Sequence, residues 1–270
     1  MVDFVSKPRY DVNDLKILIK LLCGPEGCPW DREQTHESIR RNMLEEAYET
    51  ADAIDRKNTQ DLIEELGDVL MQVVFHADIA ERADTFSLED IADATCKKLI
   101  RRHPHVFGNV KANNGKESLV VWDAMKREEK QHESISDAMK SIARILPALW
   151  RTEKIQAKAA KAGFDRQDYT EALDSLRAKI DEFENAAIDS KAESGHDQKT
   201  ATAIKEKFGD MLFSIVNAAR FFDIDPEEAL ENSNRKFISL FARLEQKAAE
   251  QNKKIADMTF NEIREVNPLL

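Results

Sequence analysis

A chain of 270 residues is longer than a single hydrophobic core usually supports, so two domains are expected. With only 8 Gly and 7 Pro, 34% charged residues and 7% aromatics, its composition favours helices over strands and tight turns. A net charge of −11 excludes a general nucleic-acid binder, which needs a basic face, but not a small phosphorylated ligand whose sign is met by a divalent metal.

The N-terminal segment "MVDFVSKPRYDVND" has no apolar stretch of the kind a secretory leader carries. No apolar run in the chain approaches the roughly 18 residues of a membrane span. Cys23, Cys28 and Cys96 form an odd set without a CxxC pair, which reads as free thiols in a reducing compartment. A soluble, cytoplasmic protein with neither membrane nor nucleic-acid partner is expected.

Helical periodicity begins in "NMLEEAYETADAID", where Leu44, Ala47, Tyr48, Ala51 and Ile54 recur at three- and four-residue steps. "DLIEELGDVLMQVVFHADIAERA" carries the next stripe: Leu62, Leu66, Val69, Leu70, Val73 and Ala77. "TFSLEDIADATCKKLIRR" opens on a Thr or Ser cap before acidic residues and closes on basic ones, as a helix dipole favours. In "RRHPHVF" the proline between His103 and His105 marks a helix stop more readily than a metal site. "GNVKANNGKES" (108–118) is a loop by composition, and "VVWDAMKREEKQHESISD" is a helix running into a charged connector. A second helical series begins near Ser141, with a loop at 189–200.

The second series repeats the first. "WDREQT" returns as "FDRQDYT", "MLEEAYETADAI" loosely as "LRAKIDEFENAA", and "ELGDVLMQVVFHA" as "KFGDMLFSIVNAA". Offsets of about 133 to 142 residues make each unit a whole domain rather than a solenoid repeat. The expected division is 1–130, a charged connector at 131–145, and 146–270. Gly67 and Gly209, conserved between the copies, each cost a helix about 1 kcal/mol against Ala, and close helix packing is the expected reason.

Glu46 and Glu49 are three apart on one helix, as are Glu65 and Asp68 on the next, so each helix shows two carboxylates on one face. If the helices pack antiparallel through their apolar stripes, four hard oxygen donors converge, a set suited to Mg2+ or Mn2+. Spacing alone is equally served by solvated acidic faces, and Glu45, Asp52, Asp61 and Glu64 show how many acids lie nearby.

The segment "EEAYE" (45–49), followed by "ELGD" (65–68), resembles the EExxE…ExxD signature of the MazG family of nucleoside triphosphate pyrophosphohydrolases. "GCPWDREQTHESI" (27–39), "RRHPHVFG" (101–108) and "VWDAMKREEK" (121–130) extend the resemblance over nearly the whole first half. It implies an all-α fold, a tandem pair of four-helix-type domains assembled as a homodimeric helical bundle. It also implies Mg2+-dependent hydrolysis of a nucleoside triphosphate to the monophosphate and diphosphate. By the same resemblance the metal ligands are Glu46, Glu49, Glu65 and Asp68, with Glu45 beside them. Lys98 and Arg102 contact the triphosphate, and Trp122 and Lys126 close over the nucleotide. Glu46 or Glu49 is the implied proton acceptor, and Lys126 joins them in the catalytic set. Trp30 has two readings, a core residue or a substrate contact.

In the second copy the signature falls on Ala178, Lys179, Ile180, Asp181 and Glu182, then on Lys207, Phe208, Gly209 and Asp210. Two ligand positions have become Lys, so the formal charge of four groups goes from −4 to 0. Arg166 stands where the family's second domain often has Trp, and Leu240 matches Arg102. The C-terminal "NEIREVNPLL" lacks counterparts to Trp122 and Lys126. The expectation is a catalytic first domain and a second that keeps the apolar frame without the chemistry. A nucleotide-binding regulatory or scaffolding protein without turnover is the rival, and a purely structural helical dimer the third reading.

Overall fold

The computed structural model describes residues 4–130, 134–192 and 198–266. It divides into two compact units, Met1–Lys130 and Gln131–Leu270. No strand occurs among the described residues, and the fold is all-α. No helix among them is long and apolar enough to cross a membrane.

In the first unit, α1 (Val12–Leu22) starts at a reciprocal cap. Asp11 Oδ1 accepts from the backbone of Asn13 and Asp14, and Asp14 Oδ2 accepts from that of Asp11. The chain then turns through "GPEG", where a Cβ on Gly27 would lie 2.2 Å from the carbonyl oxygens of Leu21 and Leu22. Only glycine tolerates that approach. The short α2 (Pro29–Arg32) follows, then α3 (Arg40–Arg56) and α4 (Thr59–Arg82).

Two residues make the reversal between α3 and α4. Lys57 adopts the left-handed conformation (φ 55°) that stops α3. Asn58 caps α4, its Oδ1 accepting from Gln60 and Asp61 at 3.0 and 3.4 Å. So tight a link makes α3 and α4 an antiparallel hairpin. The core beside it is Ile19, Cys23, Ile39, Val74 and Phe75, with Leu15, Leu22, Met71, Ile79 and Leu88 packed on. Burial pushes the Cys23 thiol up to about 12, which leaves it inert.

Ser87 and Asp90 cap α5 (Leu88–Arg102) reciprocally. Pro104 ends it and begins α6 (Pro104–Phe107), so the proline is the expected helix stop; His103 Nδ1 lies 2.6 Å from the Leu99 carbonyl oxygen. α7 (Gly115–Lys130) starts inside the stretch expected to be loop. The side chain of Asn114 accepts from Glu117 N–H at 3.0 Å and caps four residues that composition had assigned to the loop.

In the second unit, α8 (Ile135–Lys140) lies within the expected connector. Then come α9 (Ala148–Lys161), α10 (Tyr169–Ala192), α11 (Gln198–Arg220) and α12 (Pro226–Glu250), a 3-10 turn at Ile255–Asp257 and α13 (Phe260–Val266). α10 and α11 each run into the expected loop at 189–200, whose residues 193–197 lie outside the described ones. α10 and α11 pair as α3 and α4 do. Gln156 on α9 donates to the Phe213 carbonyl of α11 at 2.8 Å, and Leu244, Ala248 and Met258 form a core with α13.

Two expectations about packing fail. The apolar stripe of α3 does not pack inward: Leu44, Tyr48 and Ile54 are exposed, as are Leu66 and Leu70 on α4, while Ala53 is fully buried. The hairpin closes instead on the face that carries Glu46 and Glu65. Nor do Gly67 and Gly209 serve close packing within the chain, since a Cβ on either would meet nothing within 4 Å.

Candidate functional site

Because α3 and α4 meet on the acidic face, carboxylates spaced along two helices arrive at one place. Glu46, Glu49 and Glu65 each offer an oxygen, and the three lie within 4.8 Å of one another. Glu46 and Glu65 are half-buried and Glu49 is exposed. Asp68 stands outside that trio, yet its charge acts on both Glu46 and Glu65. Burial, then the charges of Asp68, Glu49 and Glu65, push the Glu46 carboxyl above the ordinary glutamate range. Glu65 is raised by burial and then by Glu49 and Asp68. Burial and neighbouring like charges both produce this direction of shift.

The donor set fits a hard divalent cation. All of its groups are carboxylate oxygens and they come from two helices, and the like charges that add to burial in raising Glu46 and Glu65 are ones a cation would offset. Glu45, one step round the helix from Glu46, turns away: its Oε1 accepts from Arg41 Nε at 2.8 Å on the exposed side. It does not join the trio.

A second group gathers between α5 and α7. The Arg102 guanidinium carbon lies 5.1 Å from the Trp122 ring centroid and Lys126 Nζ lies 4.9 Å from it, so two cations attend one indole. Lys98, one turn before Arg102, is exposed and has no ion-pair partner among the described residues. Trp122 is half-buried, whereas Trp30 is 59% exposed on α2. Trp30 thus stands outside the core of the single chain, and its ring makes no aromatic or cation contact among the described residues.

The sequence reading missed Glu129. Its carboxylate accepts from Arg102 Nε at 2.9 Å and from Arg101 Nε at 2.5 Å, and both pairings cross from α7 to α5. It also missed His36 and His76, whose Nδ1 atoms lie 2.8 Å apart with the rings stacked. Both links join residues distant in sequence, which no local spacing reveals.

The equivalent place in the second unit is filled by its own charges. Lys179 Nζ donates to Glu182 at 2.8 and 2.9 Å, Lys207 Nζ donates to Glu182 Oε2 at 2.8 Å, and Lys179 lies 3.8 Å from Asp210. The hydrogen bond from Lys179, then that from Lys207, holds the Glu182 carboxyl down at about 2. Leu240, which stands for Arg102, is buried as core. Among the described residues, no group of three or more carboxylates gathers there for a dication.

The chain is similar to known proteins along most of its length. The family model for the MazG nucleotide pyrophosphohydrolase domain matches residues 34–107, the span that holds the acidic trio, Asp68, Lys98 and Arg102. A Thermotoga maritima protein named nucleoside triphosphate pyrophosphohydrolase/pyrophosphatase MazG is 40% identical over 233 residues, covering 86% of this chain and 85% of that one. The Escherichia coli K12 nucleoside triphosphate pyrophosphohydrolase is 38% identical over 256 residues, 94% of this chain and 95% of that one. Bacillus subtilis YabN, described as uncharacterized, is 40% identical over 254 residues, 94% of this chain and 50% of its own length. With the signature acids gathered on one hairpin and relatives aligned along almost the whole chain, the protein belongs to the MazG family of nucleotide pyrophosphohydrolases.

Proposed function

We propose that the unit Met1–Lys130 hydrolyses nucleoside triphosphates to monophosphate and diphosphate, with Mg2+, or Mn2+ in its place, held by Glu46, Glu49, Glu65 and Asp68. The observation that carries this is the convergence of three carboxylate oxygens within 4.8 Å in a chain whose relatives bear that activity in their names. The ion would offset charge on the phosphate oxygens and acidify a water. The protein's own groups do the rest. Glu49, the exposed member of the trio, is open to solvent and takes the proton of the attacking water, with Glu46 as the neighbouring acceptor. Lys98 and Arg102 answer the charge that gathers on the departing diphosphate. Trp122 offers a face to the nucleotide, and Lys126 stands over its ring as the remaining cation.

The exposed stripe supports a homodimer. Leu44, Tyr48, Ile63, Leu66 and Leu70 are all exposed apolar side chains on the two helices of the hairpin, and exposed apolar surface of this kind marks an interaction face. A second copy over α3 and α4 would cover it and would account for Gly67, beside which a chain has open space to enter. Leu66→Glu is expected to shift sedimentation from dimer to monomer.

The activity is tested by release of monophosphate and diphosphate from a nucleoside triphosphate panel with Mg2+. Turnover that disappears in Glu49→Gln is the expected result. Nucleotide binding without turnover in the wild type would support the regulatory reading instead.

A further inference from the structure

Glu129 is a carboxylate on α7 whose side chain is only 11% exposed. Two arginines from the last turn of α5 compensate it. Oε2 accepts from Nε of Arg102 at 2.9 Å and also from its Nη2, while Oε1 accepts from Nε of Arg101 at 2.5 Å. Arg102 is as enclosed as Glu129, at 12% exposed, whereas Arg101 is 62% exposed.

Burying such a pair gives little net stability, because desolvation of both ions offsets their attraction. Its effect on geometry is large. Glu129 engages Nε and Nη2 of Arg102, which fixes the plane of the guanidinium beside the Trp122 ring. Nη1 makes no hydrogen bond among the described residues, and its two N–H groups stay available. Trp122, Lys126 and Glu129 recur at steps of four and three along α7, so one helix face carries the ring, the second cation and the clamp.

We infer that Glu129 is a positioning residue for triphosphate recognition: it clamps Arg102 against Trp122 so that Nη1 is presented to the phosphate chain. This rests on the hydrolase reading given above. A guanidinium freed from the clamp would still be charged but would sample many orientations, and misplacement of a binding group by about 1 Å can cost on the order of 100-fold in rate.

The test is a double-mutant cycle on the full chain with Mg2+ and the best-hydrolysed triphosphate, after circular dichroism has confirmed folding. Wild type, Glu129→Gln, Arg102→Ala and the double variant are compared by kcat and KM. Glu129→Gln keeps the shape and loses the charge; kcat/KM should fall about 10- to 100-fold. In the Arg102→Ala background the same change should have almost no effect, because the clamp has nothing left to orient. Glu129→Asp, with the charge on a shorter stem, should fall between wild type and Glu129→Gln.

A Glu129→Gln enzyme with wild-type kcat/KM, or one losing equally in both backgrounds, overturns the inference while leaving the hydrolase reading intact. A wild type that hydrolyses no triphosphate removes that reading and the inference with it. If Glu129→Gln fails to fold, the cycle is read with Glu129→Asp, and equal losses in both backgrounds again overturn it.

Discussion

In the first unit α3 and α4 crowd three glutamates within 4.8 Å of one another, with Asp68 close enough to add its charge. In the second unit α10 and α11 place Lys179 and Lys207 against Glu182, with Asp210 nearby. The hairpins are built alike, and two substitutions in four positions turn an uncompensated acidic cluster into a closed set of ion pairs. What differs is where the compensating charge comes from. The second copy carries it covalently, on Lys179 and Lys207, while among the described residues no cationic side chain pairs with Glu46, Glu49, Glu65 or Asp68. The same contrast recurs away from the hairpins, where Arg102 presents a charge beside Trp122 and Leu240 fills its place with core.

The sharpest way to break the comparison is to remove acids from one copy at a time. Glu49→Gln/Asp68→Asn should lower turnover by more than about 100-fold, since even the outer partners of metal ligands are worth that much. Next in size is Leu240→Ala, which should cost about 2–5 kcal/mol of stability through lost burial and a cavity. Denaturant unfolding would read that loss, and turnover of the folded fraction should stay as in wild type.

Metal should then separate the units by thermal stability. Mg2+ at about 100 times its dissociation constant stabilises a binding-competent protein by about 2.7 kcal/mol. The melting transition of wild type should rise accordingly, that of Glu182→Gln/Asp210→Asn should rise equally, and that of Glu49→Gln/Asp68→Asn should not move.

The smallest effect is opposite in sign in the two copies. Glu46 is raised above its ordinary 4.5, so its ionised form costs stability at neutral pH, and the cost is relieved as pH falls through the raised value toward 4.5. Glu182 is held at about 2, so its contribution is complete above 4.5 and is lost as pH falls from there to about 2. In metal-free melting series, Glu46→Gln should exceed wild type at pH 7 and approach it near pH 4.5. Glu182→Gln should lie below wild type at pH 7, its deficit narrowing as pH drops below 4.5.

Much of this contrast is legible in the sequence, because it rests on residues three apart on single helices. Glu46 with Glu49, Glu65 with Asp68, and the lysines that replace two of their counterparts need only the helical repeat to be placed on shared faces. The side of the hairpin that closes is not legible. Periodicity locates the stripe of Leu44, Tyr48 and Leu66 without saying whether it meets its own chain or another surface, and it is exposed here. The packing expected at Gly67 and Gly209 fails for the same reason. Glu129 escapes notice because it sits in a run of charged residues and finds its arginines 27 and 28 positions away. The pair of His36 and His76 is separated by 40.

The most direct measurement of the central claim is monophosphate and diphosphate release with Mg2+ from three folded proteins: wild type, Glu49→Gln/Asp68→Asn and Glu182→Gln/Asp210→Asn. The account predicts turnover in the first and third and its loss in the second alone. Loss only in Glu182→Gln/Asp210→Asn would contradict it, placing the chemistry in the copy whose acids are already paired with lysine.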